Sequence, residues 1–151
     1  MNLIELAEKW FKKAQSDLIT ATHMFENVHP KELDISCYHS QQAVEKVLKG
    51  FLVYNGENPP YTHDLTVLCQ RCAEYENTFS DYDDDFIVLS EYAARTRYPD
   101  DFEIEVPETA AAINKAYEIY DFTLDFLPEL AEDYRFEIAD EDQEIGGMTM
   151  K

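Results

Sequence analysis

Only four glycines occur in the 151 residues, and two of them, Gly146 and Gly147, lie close to the C-terminus. Such a chain has few positions free to reverse tightly, and it lacks runs of alternating β-branched residues. Its apolar side chains recur instead every three or four residues, as in Leu3, Leu6, Trp10, Ala14, Leu18, Ala21 and Phe25. That period belongs to an amphipathic helix, so the fold class expected is all-α.

The spacing predicts five helices. The first covers about 2–27 and stops before His29-Pro30. The second starts from a cap on Asp34 or Ser36, runs to about Tyr54 and ends at Asn55-Gly56, with Val44, Val47, Leu48, Phe51 and Leu52 inward. After the turn-forming Gly56-Glu57-Asn58-Pro59-Pro60, Thr62 is placed to cap a third helix carrying Leu65, Leu68, Cys72 and Tyr75. Residues 80–85 read as a capped loop feeding a fourth helix with Phe86, Leu89 and Ala93, ended by Pro99. Pro107 opens the fifth, whose stripe is Ile113, Ala116, Tyr120, Leu124 and Leu127, before Pro128. Short connections then give an antiparallel up-and-down bundle of four long helices and one short one over 1–135, with 136–151 as an acidic, flexible tail. Phe11, Tyr54, Phe122 and Phe126 fall off the stripes, and an exposed patch of them predicts a homodimer.

Charge narrows the partners. Twelve Lys and Arg against 32 Asp and Glu leave a net charge of −20, which argues against binding DNA or generic RNA and against docking on an anionic membrane. Hydrophobic residues make up 45%, too many for a disordered acidic chain. The N-terminus does not read as a signal peptide, and no apolar run approaches the ~20 residues of a membrane span. Three cysteines are odd in number and too few for a disulfide scaffold, so a reducing cytoplasm fits.

Few constellations point to chemistry. Cys69 and Cys72 have the spacing of a metal or redox pair but no second pair completes it, and Cys72 falls on an apolar stripe. His39 and His63 are placed to approach each other across the second connection, without identifiable carboxylate partners for a metal. Asp81, Asp83 and Asp85 lack the glycine and glutamate of an EF-hand and read as a solvated loop. Gly-rich phosphate loops and the nucleophile elbow are absent, and no cofactor or metal is expected. Against the acidity, Lys46 and Lys49 share one helix face and Arg95 and Arg97 flank a proline turn. Two readings stand: cations complementing a helix C-terminus, or an anion site in which Arg97 grips a phosphate and Tyr98 stacks or donates.

These residues carry a family resemblance. The segment Ser40-Gln41-Gln42-Ala43-Val44-Glu45-Lys46-Val47-Leu48-Lys49, then Thr62-His63-Asp64-Leu65, then Arg97-Tyr98-Pro99-Asp100 resembles the HEPN family (higher eukaryotes and prokaryotes nucleotide-binding). The first helix, from Trp10 through Ala14 to Asp17-Leu18, is similar too, so the resemblance spans about residues 3–127. It implies an all-α bundle that commonly dimerises. Carried over by position, it implies ligand binding by Arg97, Tyr98, Asp100, Lys46, Lys49 and His63, with Gln42, Glu45, Asp64 and Arg95 as site support or as structural cross-links. Many members are RNases, often toxins paired with a nucleotidyltransferase-type antitoxin, that place a histidine after an arginine with four to six residues between them. Here the corresponding positions are Asp100, Asp101 and Phe102 after Arg95, and Phe102, Glu103 and Ile104 after Arg97. The acid–base group is missing, so the expected function is nucleotide or phospholigand binding without cleavage, as a dimer. The alternative is the interaction half of a toxin–antitoxin-like pair with a nucleotidyltransferase-type partner, and RNase activity ranks behind both.

Overall fold

A computed structural model describes residues 1–95 and 103–136. Among these residues there are only helices: α1 (Leu3–Glu26), α2 (Leu33–Tyr54), α3 (Leu65–Ala73), a 3-10 helix (Asn77–Tyr82), α4 (Asp83–Ser90), α5 (Tyr92–Arg95), α6 (Val106–Leu124) and α7 (Pro128–Tyr134). The all-α bundle expected from periodicity is present, with three long helices and several short ones.

The α1–α2 hairpin is the scaffold. Ser36 Oγ donates to Ala21 O at 2.9 Å near its closed end. About four-fifths of the way along α2, a Cβ on Gly50 would meet Phe11 Cε2 at 2.9 Å and Trp10 Cβ at 3.0 Å. The absence of a side chain there lets the two backbones approach closely. Across this contact α1 buries Ala7, Phe11, Ala14, Leu18, Ala21 and Phe25. The buried line is rotated from the expected stripe at its start: Leu3 and Leu6 are 46% and 37% exposed, while Ala7 is fully buried.

The next connection does not simply reverse the chain. His63 O accepts from Gln41 Nε2, Cys72 Sγ donates to Leu48 O, and the Tyr75 ring meets Phe51 edge-on. Thus the loop after α2 travels back along the bundle, and α3 runs in the same sense as α2. Its cap is Asp64, whose carboxylate accepts from Thr66 N at 2.9 Å, whereas Thr62 only caps the preceding turn by accepting from Asp64 N. The cap expected on α2 also differs. That helix begins at Leu33, with Asp34 in its first turn and Ser36 inside, its hydroxyl already bonded to α1.

The expected fourth helix is divided. Phe79, fully buried, fastens the 3-10 turn, and α4 starts directly at Asp83 and breaks at Glu91 before α5. Asp83 and Asp85 are therefore helical rather than in a loop, where the first-turn dipole favours them. Pro107 and Pro128 stand in the first turns of α6 and α7.

The off-stripe aromatics do not form an exposed patch. Phe11 is fully buried, and Phe122 and Phe126 pack half-buried around Phe79 with ring centroids 5.2 and 6.1 Å away. Tyr54 is half-buried and its hydroxyl donates to Glu129 at 2.6 Å. The 3-10 turn and α7 supply walls that five simple helices would lack. Phe136, where the expected tail begins, lies against Tyr117 and Tyr120. Residues 137–151 lie outside the described residues.

Candidate functional site

Antiparallel pairing of α1 with α2 brings Asp17 opposite the middle of α2. On α2, His39, Gln42, Lys46 and Lys49 recur at three- and four-residue intervals and so share a face. Asp17 is 7% exposed, which is costly for a carboxylate unless cations answer it. One does: Lys46 Nζ donates to Oδ2 at 2.5 Å, and His39 Nδ1 adds a hydrogen bond to Oδ1 at 2.8 Å.

A second buried carboxylate repeats the pattern. Glu45, 4% exposed, accepts from Lys49 Nζ through Oε2 at 3.0 Å and from His63 Nδ1 through Oε1 at 2.8 Å. Gln41, wholly buried, donates from Nε2 to the same Oε1 and to His63 O, and takes a bond from Gln42 Nε2 at 2.7 Å. The cluster therefore anchors the loop before α3 to α2 while it pairs the charges.

Each histidine spends Nδ1 on its carboxylate, which leaves Nε2 facing away from that partner. Their side chains are 29% and 52% exposed for His39 and His63. Lys46 keeps two ammonium N–H groups beyond its bond to Asp17. The seam thus presents cations held in fixed positions, and Trp10 and Tyr61 stand at one end with ring centroids 5.9 and 6.0 Å from Lys49 Nζ.

The expected pair His39 and His63 is split between two carboxylates rather than joined. Lys46, Lys49, His63, Gln42 and Glu45 are brought together, and Asp64 stands beside them as the α3 cap. Arg95 lies elsewhere, on α5, within 3.5 Å of Glu91 and Glu108 and over the Tyr92 ring. Arg97, Tyr98 and Asp100 lie outside the described residues. Sequence spacing overlooked Asp17 and the central role of Gln41, although both interrupt apolar stripes with polar side chains, and that is the available signal. It also passed over Tyr61, whose signal is its place beside two prolines.

The thiols take no part. All three cysteines are buried, and burial raises Cys37 to about 11 and Cys69 to about 12, with the Asp83 carboxylate adding to the latter. No group of three or more metal-ligating side chains occurs among the described residues. A cavity of about 210 Å³ between α4 and α6, walled by Val88, Leu89, Tyr92 and Ala112, includes none of the seam residues.

A helical hairpin with a charged, internally paired seam, closed by α6 and shorter helices, makes an all-α bundle. The HEPN domain family matches residues 7–127, and the chain belongs to that family. No match was found among curated proteins or among solved structures. No helix among the described residues is long and apolar enough to cross a membrane.

Proposed function

We propose that the chain is a non-catalytic HEPN protein that binds a nucleotide or a related phosphorylated ligand, acting as a dimer. One observation carries this reading. In a chain of net charge −20, Lys46, Lys49, His39 and His63 are gathered on one seam and fixed there by two buried carboxylates. Fixed cations lose little conformational freedom when they take a phosphate, and Lys46 and the histidine Nε2 atoms retain donors for it once the rings are protonated. By position in the sequence, the family motif adds Arg97, Tyr98 and Asp100 to the expected ligand-binding residues. Absence of a histidine at the RNase spacing after Arg95 or Arg97 supports binding without cleavage. Dimerisation draws on the habit of the family, since the aromatics that suggested it are internal.

The test is a thermal-shift series with nucleoside mono-, di- and triphosphates, on the native chain and on Arg97→Ala. Ligand at 100 times its dissociation constant adds about 2.7 kcal/mol, a rise on the order of 5–10 °C for this size. A rise abolished by Arg97→Ala is the expected result. No rise with any nucleotide overturns the reading.

A further inference from the structure

Tyr61 is the most exposed large hydrophobic side chain of the described residues, at 104%, yet the loop that carries it is tied down on both sides. Upstream, Gly56 takes a φ of 86°, Glu57 N–H donates to Leu52 O, and the Glu57 carboxylate accepts from Tyr75 OH and pairs with Arg71. Pro59 and Pro60 follow, each with a fixed φ. Downstream, Thr62 N–H donates to Pro60 O at 3.0 Å, and His63 is held through both its ring and its carbonyl by Glu45 and Gln41. A fully solvated ring on a braced loop is unlike an aromatic left outside for want of room.

Its surroundings indicate what it meets. Lys49 Nζ lies within about 6 Å of the centroids of both Tyr61 and Trp10, so the two rings flank the same ammonium. Trp10 is half-buried at the α1 edge, fixed where Gly50 lets the helices close. Beyond Lys49 along α2 stand Lys46 and His39 on Asp17. The order along the seam is thus rings first, then Lys49 with the His63 imidazole beside it on Glu45, then Lys46 and the His39 imidazole. That order matches a planar uncharged group joined to an anionic one.

We propose that Tyr61 and Trp10 form the stacking platform for the base of a nucleoside phosphate whose phosphate lies toward Lys46 and His39. This deepens the reading above and rests on it: it specifies a base-bearing ligand rather than a sugar phosphate or inorganic phosphate. Base–aromatic stacking is worth roughly five- to a hundredfold in affinity per base.

Trp10 is the sole tryptophan, so it reports on its own site by fluorescence. The experiment titrates the full chain with adenosine 5′-monophosphate and, separately, with ribose 5-phosphate, by calorimetry and by Trp10 emission. Tyr61→Ala and Tyr61→Phe are run alongside. Because Tyr61 is fully exposed, neither variant disturbs the core. Expected are tighter binding of the monophosphate by tenfold or more, quenching of Trp10 by it alone, collapse of the preference in Tyr61→Ala and its survival in Tyr61→Phe. Equal affinity for both probes, or a Tyr61→Ala loss equal for both, overturns the platform while leaving phospholigand binding intact. Binding of neither probe, nor of any other nucleotide, by the native chain removes both.

Discussion

Two regions of this bundle bury their side chains by opposite means. Around Phe79, the rings of Phe51, Phe122 and Phe126 meet with centroids 4.8–6.1 Å away, and nothing polar from these side chains needs an answer. Along the α1–α2 seam, Asp17, Glu45, Lys49 and Gln41 are buried too, and every charge among them has a partner. The aromatic layer gains stability from apolar area and is weakened chiefly by loss of volume. The seam gains little net stability from its ion pairs, since desolvation offsets most of their attraction. Its bonds instead fix the register of α1 against α2 and tie the loop before α3 to α2.

This contrast can be broken by substitution. Phe79→Ala should cost about 3–5 kcal/mol by opening a cavity in the ring cluster, seen as a lower urea midpoint. Glu45→Ala should cost about 3 kcal/mol or more, because Lys49 and His63 lose their partner, with Lys49 left buried. The double variant Glu45→Met with Lys49→Met sharpens the comparison: replacing the pair by apolar groups of similar volume should restore stability to within about 1 kcal/mol of the native chain. Equal destabilisation by the single and double variants would show that the seam is structural in the same sense as the ring layer.

Smaller effects test the joints between the two regions. Gly50→Ala should cost about 1–3 kcal/mol, since the new methyl group presses on Phe11 and Trp10. Asp64→Ala should cost about 1 kcal/mol by removing the α3 cap, read as a lower thermal midpoint. The mildest effect belongs to pH. The thiols of Cys37 and Cys69 are raised by burial from 9.0 to about 11 and about 12, so they favour the folded chain fully below pH 9. That contribution is lost as pH rises through 11 and 12, and Cys37→Ala should flatten the alkaline slope of stability.

How far these regions were legible in the sequence follows from the range of the interactions involved. The inward faces of α2 and α6 were readable because Val44, Val47, Leu48, Ile113, Ala116 and Tyr120 repeat at helical spacing, a local property. Lys46 and Lys49 on one face were readable for the same reason. Their neutralisation was not, because it depends on the register of α1 against α2, which sets Asp17 beside position 46. The retracing loop and the 3-10 turn around Phe79 also escaped, since long-range bonds from Gln41 and Glu45 and the burial of a single ring decide them. At the cap of α3, Thr62 and Asp64 carry equally suitable side chains, and the tertiary hold on His63 selects the later one.

The concealment of Cys37, Cys69 and Cys72 has a practical side. A protein whose native thiols are inaccessible and kept protonated near neutral pH behaves toward maleimides as though it had none. One cysteine added on the surface becomes a unique chemical handle with no need to remove the others. At Tyr61→Cys, such a handle would carry an acceptor dye to within energy-transfer range of the sole indole, turning the loop before α3 into an optical ruler.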